Sequence, residues 1–162
     1  MRFLKIAFFA SAVLLLFSIF FHSVIEFDQD LGRHLLMGKI ISQNFRVPAN
    51  NLLSYTHPNF QFVNSHWLSE VIFYQITKLS SSVISLLYLK VAVLNLAFGL
   101  TVYISYRHSK SLIATSLAFA IFVPVLLERT EIRPEIFSYL FTAIFLYVLL
   151  FDKKRLLWLQ IL

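Results

Sequence analysis

The sequence predicts an all-α integral membrane protein: about four transmembrane helices, with two amphipathic interfacial helices in the first external loop. Three observations predict it. Of 162 residues, 59% are hydrophobic and only 14% charged, where a soluble domain carries about a quarter charged residues. The apolar residues gather into runs that approach the roughly 20 residues a helix needs to cross a bilayer. The polar residues are concentrated in one stretch, about 26–81, where the hydrophobic period changes from continuous to amphipathic.

The first run extends from about Leu4 to Ile25 behind Arg2 and Lys5. It exceeds a typical signal-peptide core, and the segment after it (Phe20, Phe21, His22, Ser23) lacks a small-residue cleavage site, so an uncleaved anchor helix over 1–25 is expected. In the polar stretch, Leu31, Leu35, Leu36, Ile40 and Ile41 recur near helical spacing between Arg33, Lys39, Gln43 and Asn44, the pattern of a helix lying in an interface. Pro48, Asn50-Asn51 and His57-Pro58-Asn59 punctuate a loop. A second amphipathic helix is expected to start at Asn64 or Ser65, either of which can cap it, with Trp67, Leu68, Val71, Ile72 and Ile76 as its apolar stripe. Further spans are read over 82–106, 111–127 (with Pro124 near its end) and 136–151, and 156–162 reads as the start of another helix. The chain is therefore expected to be the N-terminal part of a larger bundle.

The net charge of +6 is distributed between apolar runs rather than over one face, which argues against nucleic-acid binding. Without Cys, neither a disulfide framework nor a thiolate metal site can form. Arg2 and Lys5, Arg107 and Lys110, and Lys153-Lys154-Arg155 fall on one side by parity of spans. The positive-inside rule then places the N-terminus in the cytoplasm and 26–81 outside, in a multi-pass inner-membrane protein.

Candidate chemistry lies in the polar stretch and at the helix ends. Asp28 and Asp30 follow the first span; each can act as a base, and Asp30 is equally placed to cap the next helix. Together they could hold a divalent cation, a site given little weight outside the cytosol, and no other metal site is expected. His34 lies one helical turn beyond Asp30, and His66 and Glu70 are likewise four apart, a spacing that could bind a metal but reads more simply as a surface pair. Arg129 and Arg133 carry planar forks suited to phosphate, or to pairing with Glu128, Glu131 or Glu135. Lys90, inside the second span, can snorkel outward or meet a lipid phosphate or a loop acid.

The order of several pieces carries a resemblance. Asp28-x-Asp30-Leu31-x-x-His34-x-x-x-Gly38 is followed by Arg46-Val47-Pro48, Leu53-Ser54-Tyr55-Thr56, Asn64-Ser65-His66-Trp67-Leu68-Ser69-Glu70, and Arg133-Pro134-Glu135-Ile136-Phe137-Ser138-Tyr139. The chain resembles the N-terminal part of bacterial polytopic proteins related to the C-superfamily (GT-C-like) membrane glycosyltransferases, over about residues 24–150. It departs from their pattern at Gly32-Arg33, at Asn51-Leu52, and at Asn64-Ser65-His66, where His-Glu is commoner. The resemblance implies a polyprenyl-phosphate-linked sugar as donor, used at the external face of the membrane. It also implies that Asp30, supported by Asp28, supplies the essential carboxylate and that Arg129 and Arg133 bind the donor phosphate. A non-catalytic subunit or lipid-binding scaffold of an envelope glycan pathway is the alternative. A transporter ranks last, because no pair of Gly/Pro-interrupted helices is visible.

Overall fold

A computed structural model of the chain describes residues 2–21, 29–57, 60–127 and 131–151. Six helices make up its regular structure: α1 (Arg2–Phe20), α2 (Gln29–Asn44), α3 (Trp67–Ser80), α4 (Ile84–Ser109), α5 (Leu112–Leu127) and α6 (Glu135–Phe151). Among the described residues there is no strand; one isolated antiparallel bridge pairs Asn50 with Gln61. The all-α expectation therefore holds. Asp28, Arg129 and the expected further helix at 156–162 lie outside the described residues.

Two helices, α1 from Phe3 and α4, are long and apolar enough to cross a membrane by length and composition. The other apolar helices, α5 and α6, have 16 and 17 residues. At 1.5 Å per residue their described residues span about 24–26 Å of the roughly 30 Å hydrocarbon core.

The chain divides into two compact units. One gathers Met1–His22, Leu89–Glu131 and Glu135–Leu162. Within it α1 packs on α5, and aromatic rings connect other helices: Phe20 stacks on Phe98, and Phe98 meets Tyr139. Arg107 donates to the Tyr147 hydroxyl at 2.7 Å and lies 4.2 Å from the Phe151 ring centroid. A guanidinium held over aromatic faces at a helix end keeps its charge while covering apolar surface.

The other unit, Ser23–Tyr88 with Ile132–Pro134, is built around α2 and α3. Leu31, His34, Gly38 and Ile41 are buried at helical spacing on α2, and Glu70 and Phe73 are buried on α3. The helices touch at backbone distance. A Cβ added at Gly38 would stand 2.0 Å from the Glu70 carbonyl oxygen and 2.6 Å from its carbon. Only glycine permits this crossing, because its missing side chain lets one helix rest on the backbone of the other. Both helices end in left-handed residues other than glycine: Phe45 (φ 51°) follows α2 and Ser81 (φ 52°) follows α3. The Phe45 N–H closes the last turn on the Ile41 carbonyl at 2.8 Å.

Gly38→Ala is expected to destabilise the chain by about 1–3 kcal/mol, because backbone atoms must separate to admit the methyl group. Gly32→Ala, where nothing lies within 4 Å, should be neutral or stabilise by about 0.5–1 kcal/mol through helix propensity. Thermal unfolding of the two variants beside the parent chain measures the contrast; equal shifts would contradict the close crossing.

Candidate functional site

The polar centre of the α2–α3 unit is the Glu70 carboxylate, only 1% exposed. A buried carboxylate is costly unless each oxygen finds a donor. Here one oxygen lies 2.9 Å from His34 Nδ1, and the other accepts from Asn64 Nδ2 at 2.5 Å. A carboxylate only accepts, so the proton in the first contact sits on His34 Nδ1. His34 (4% exposed) and Asn64 (5%) are buried with it. The amide is held from both ends, since Asn64 Oδ1 accepts the His66 N–H at 3.0 Å. The His66 ring stands edge-on to the His34 ring with centroids 6.0 Å apart.

Each of these positions follows from local sequence. His34 lies one turn before Gly38, so the close crossing brings its ring against Glu70. Glu70 sits in the first turn of α3, where the helix dipole favours a negative charge. Asn64 lies just outside the helix, which starts at Trp67 with His66 at the cap position. Its side chain closes a local turn rather than capping, so the expected Asn64 or Ser65 cap is replaced by an Asx-turn.

The other singled-out residues are placed as follows. Asp30 lies in the first turn of α2, so it is part of the helix rather than its cap. Its carboxylate is about half exposed and pairs with Arg33 Nε at 3.7 Å, a contact of the exposed kind worth at most about 1 kcal/mol. His34 and Glu70 meet across 36 residues of sequence. The surface pairing of His66 with Glu70 does not describe the structure: Glu70 is buried, and its oxygens engage His34 and Asn64. Arg133, half-buried, belongs to the same compact unit. Lys90 is buried at 2% exposure rather than snorkelling outward. Among the described residues no group of three His, Cys, Asp or Glu could hold a metal ion. Asn64 is the member of the cluster that residue spacing did not single out; its signal was its place six residues before a buried acid.

Two cavities accompany these features. In the first unit, Phe98, Val102, Ala118, Phe119 and Phe122 line an apolar cavity of about 170 Å³ between α4 and α5. Thr101 and Thr115 also border it, and their hydroxyls turn back onto the carbonyls of Ala97 and Ser111. In the α2–α3 unit, an open groove of about 730 Å³ runs along the bridge between Asn50 and Gln61 and ends at Trp67.

The fold thus defines an all-helical chain with two helices able to cross a membrane. Comparison with known proteins finds no matching family model, no matching curated protein and no matching solved structure.

Truncating Glu70 to Ala should cost about 2–4 kcal/mol, because buried His34 and Asn64 lose their acceptor. His34→Ala should cost less, and the double variant should fall short of the sum of the singles by about 1 kcal/mol or more. Chemical denaturation of the four proteins gives the cycle; strict additivity would contradict a direct His34–Glu70 contact.

Proposed function

We infer that this chain is a multi-pass inner-membrane protein. In this reading it acts as a glycosyltransferase, or as part of one, taking a sugar from a polyprenyl-phosphate donor at the external face. One observation carries the reading. Two of the sequence pieces on which the resemblance rests, Asp30 to Gly38 and Asn64 to Glu70, pack into a single unit through His34, Gly38 and Glu70. That unit leaves the Asp30 carboxylate accessible at the first turn of α2.

The membrane setting is supported by the sides of the helices as well as by their length. Leu4, Ile6, Val13, Leu14, Leu15 and Phe17 of α1 are exposed, as are Ile113, Leu117, Ile121, Phe122 and Val125 of α5. Apolar surface of that extent suits lipid rather than water. Four spans follow if α5 and α6 cross a locally thinned bilayer, at a modest cost per ångström of mismatch.

The chemistry needs a base for an acceptor hydroxyl and cations for a phosphate leaving group. Asp30 is the base in this reading, with Asp28 beside it in sequence. Arg129 and Arg133 supply forks for phosphate oxygens. His34 and Glu70 act through structure, by holding the helix that bears Asp30, and His66 anchors the Asn64 turn.

The alternative is a lipid-binding scaffold without turnover. Asp30→Asn separates the two. The variant should insert and express as the parent does and lose transfer from a labelled polyprenyl-phosphate sugar by at least about 100-fold, the usual weight of a positioned base. Undiminished transfer would remove Asp30 from the chemistry. Donor bound without turnover by the parent chain would establish the scaffold.

A further inference from the structure

The groove beside the α2–α3 clasp has a composition that selects its ligand. Among the described residues, none that lines it carries a charge. An anionic lipid headgroup, a phosphate or an acidic peptide would find no counter-ion there. Of its three primary amides, that of Asn64 is held by Glu70, which leaves Asn50 and Gln61, with the face of Trp67 and the apolar walls of Pro48 and Phe62. Asn50 and Gln61 stand opposite each other in the antiparallel bridge, so their side chains project from one face only a few ångströms apart. Both are exposed, and neither amide has a hydrogen-bond partner among the described residues.

Part of the backbone around the bridge is already committed. The Asn51 N–H bonds the Phe60 carbonyl at 2.9 Å, and the Phe62 N–H bonds the Ala49 carbonyl at 2.9 Å. Those two donors are closed to a ligand, whereas the side-chain amides of the bridge residues stand open to one. Two planar amides, each with donors and an acceptor, match the alternating donors and acceptors of vicinal hydroxyls. The Trp67 indole, about half exposed, offers the flat apolar surface that the C–H face of a pyranose ring requires. The groove's far end is rigid, because Asn64 is fixed between Glu70 and the His66 backbone. Its volume of about 730 Å³ lies in the range of small-ligand sites.

We propose that this groove binds a neutral, hydroxyl-rich oligosaccharide, with Asn50 and Gln61 reading hydroxyls and Trp67 stacking on a ring. Its assignment as the acceptor subsite rests on the transferase reading above; the binding itself does not.

The test uses the full chain in nanodiscs with Trp158→Phe as background, so that Trp67 is the sole indole. Neutral trisaccharides, maltotriose and N,N′,N″-triacetylchitotriose, are titrated against Trp67 fluorescence, with trigalacturonate as the anionic comparison. A saturable change with a neutral trisaccharide, weakened about tenfold in Asn50→Ala/Gln61→Ala by loss of two neutral hydrogen bonds, is the expected result. Tyr55→Ala, an exposed loop aromatic outside the groove, should leave the affinity unchanged. No saturable change with either neutral sugar would overturn the proposal, as would equal affinity in the amide variant or preference for trigalacturonate. Quenching of Trp67 by bromine-labelled lipid that neither trisaccharide relieves would assign the face to the membrane instead. Absence of donor turnover would count against the transferase reading alone and leave this titration standing.

Discussion

A buried carboxylate sets the terms for the α2–α3 unit. Glu70 can remain in the interior only because His34 donates to one oxygen and Asn64 to the other. These two donors come from different places, one from the facing helix and one from the loop that enters α3. Satisfying Glu70 therefore fixes helix pairing and loop entry together. The same crossing requires Gly38, since any side chain there would meet the Glu70 backbone. Removing one partner leaves buried polar groups exposed to an apolar interior, so the cluster acts as a unit rather than as three separate bonds.

From this constraint the positions of the functional candidates follow. Asp30 is one turn from His34 on a helix whose placement the clasp determines, and the helix dipole favours its charge. Trp67 opens the helix that bears Glu70, and Asn64 connects the clasp to the groove wall. A loop that would otherwise hang as a long polar connection becomes a shaped surface. In the proposed setting, it would lie at one face of the membrane with its apolar and amide residues turned outward.

Much of the helical content was legible in sequence because it depends on local pattern. Continuous apolar runs mark α1, α4, α5 and α6, and the stripe through Leu31 and Ile41 marks α2. What sequence could not show was contact across distance. The spacing of His66 and Glu70 on one helix suggested a surface pair, yet Glu70 points to a histidine 36 residues away. The burial of Lys90 was hidden for the same reason: depth along a helix is readable, but its neighbours are not. Asn64 looked like a helix cap, and only the folded turn reveals that its amide serves the buried acid. Lys110, left-handed at φ 56°, separates α4 from α5, and Pro134 immediately precedes α6, where a proline suits a helix start.

The functional account depends most directly on the polar loop and the α4 C-terminus lying on opposite sides of a bilayer. The chain has no cysteine, so single thiols can be placed without background. Tyr55→Cys in the loop and His108→Cys at the end of α4, both exposed positions, are labelled with a membrane-impermeant maleimide in intact cells and after permeabilisation. The account predicts labelling at position 55 in intact cells and at position 108 only after permeabilisation. Labelling of both positions in intact cells, or of position 55 only after permeabilisation, would contradict it.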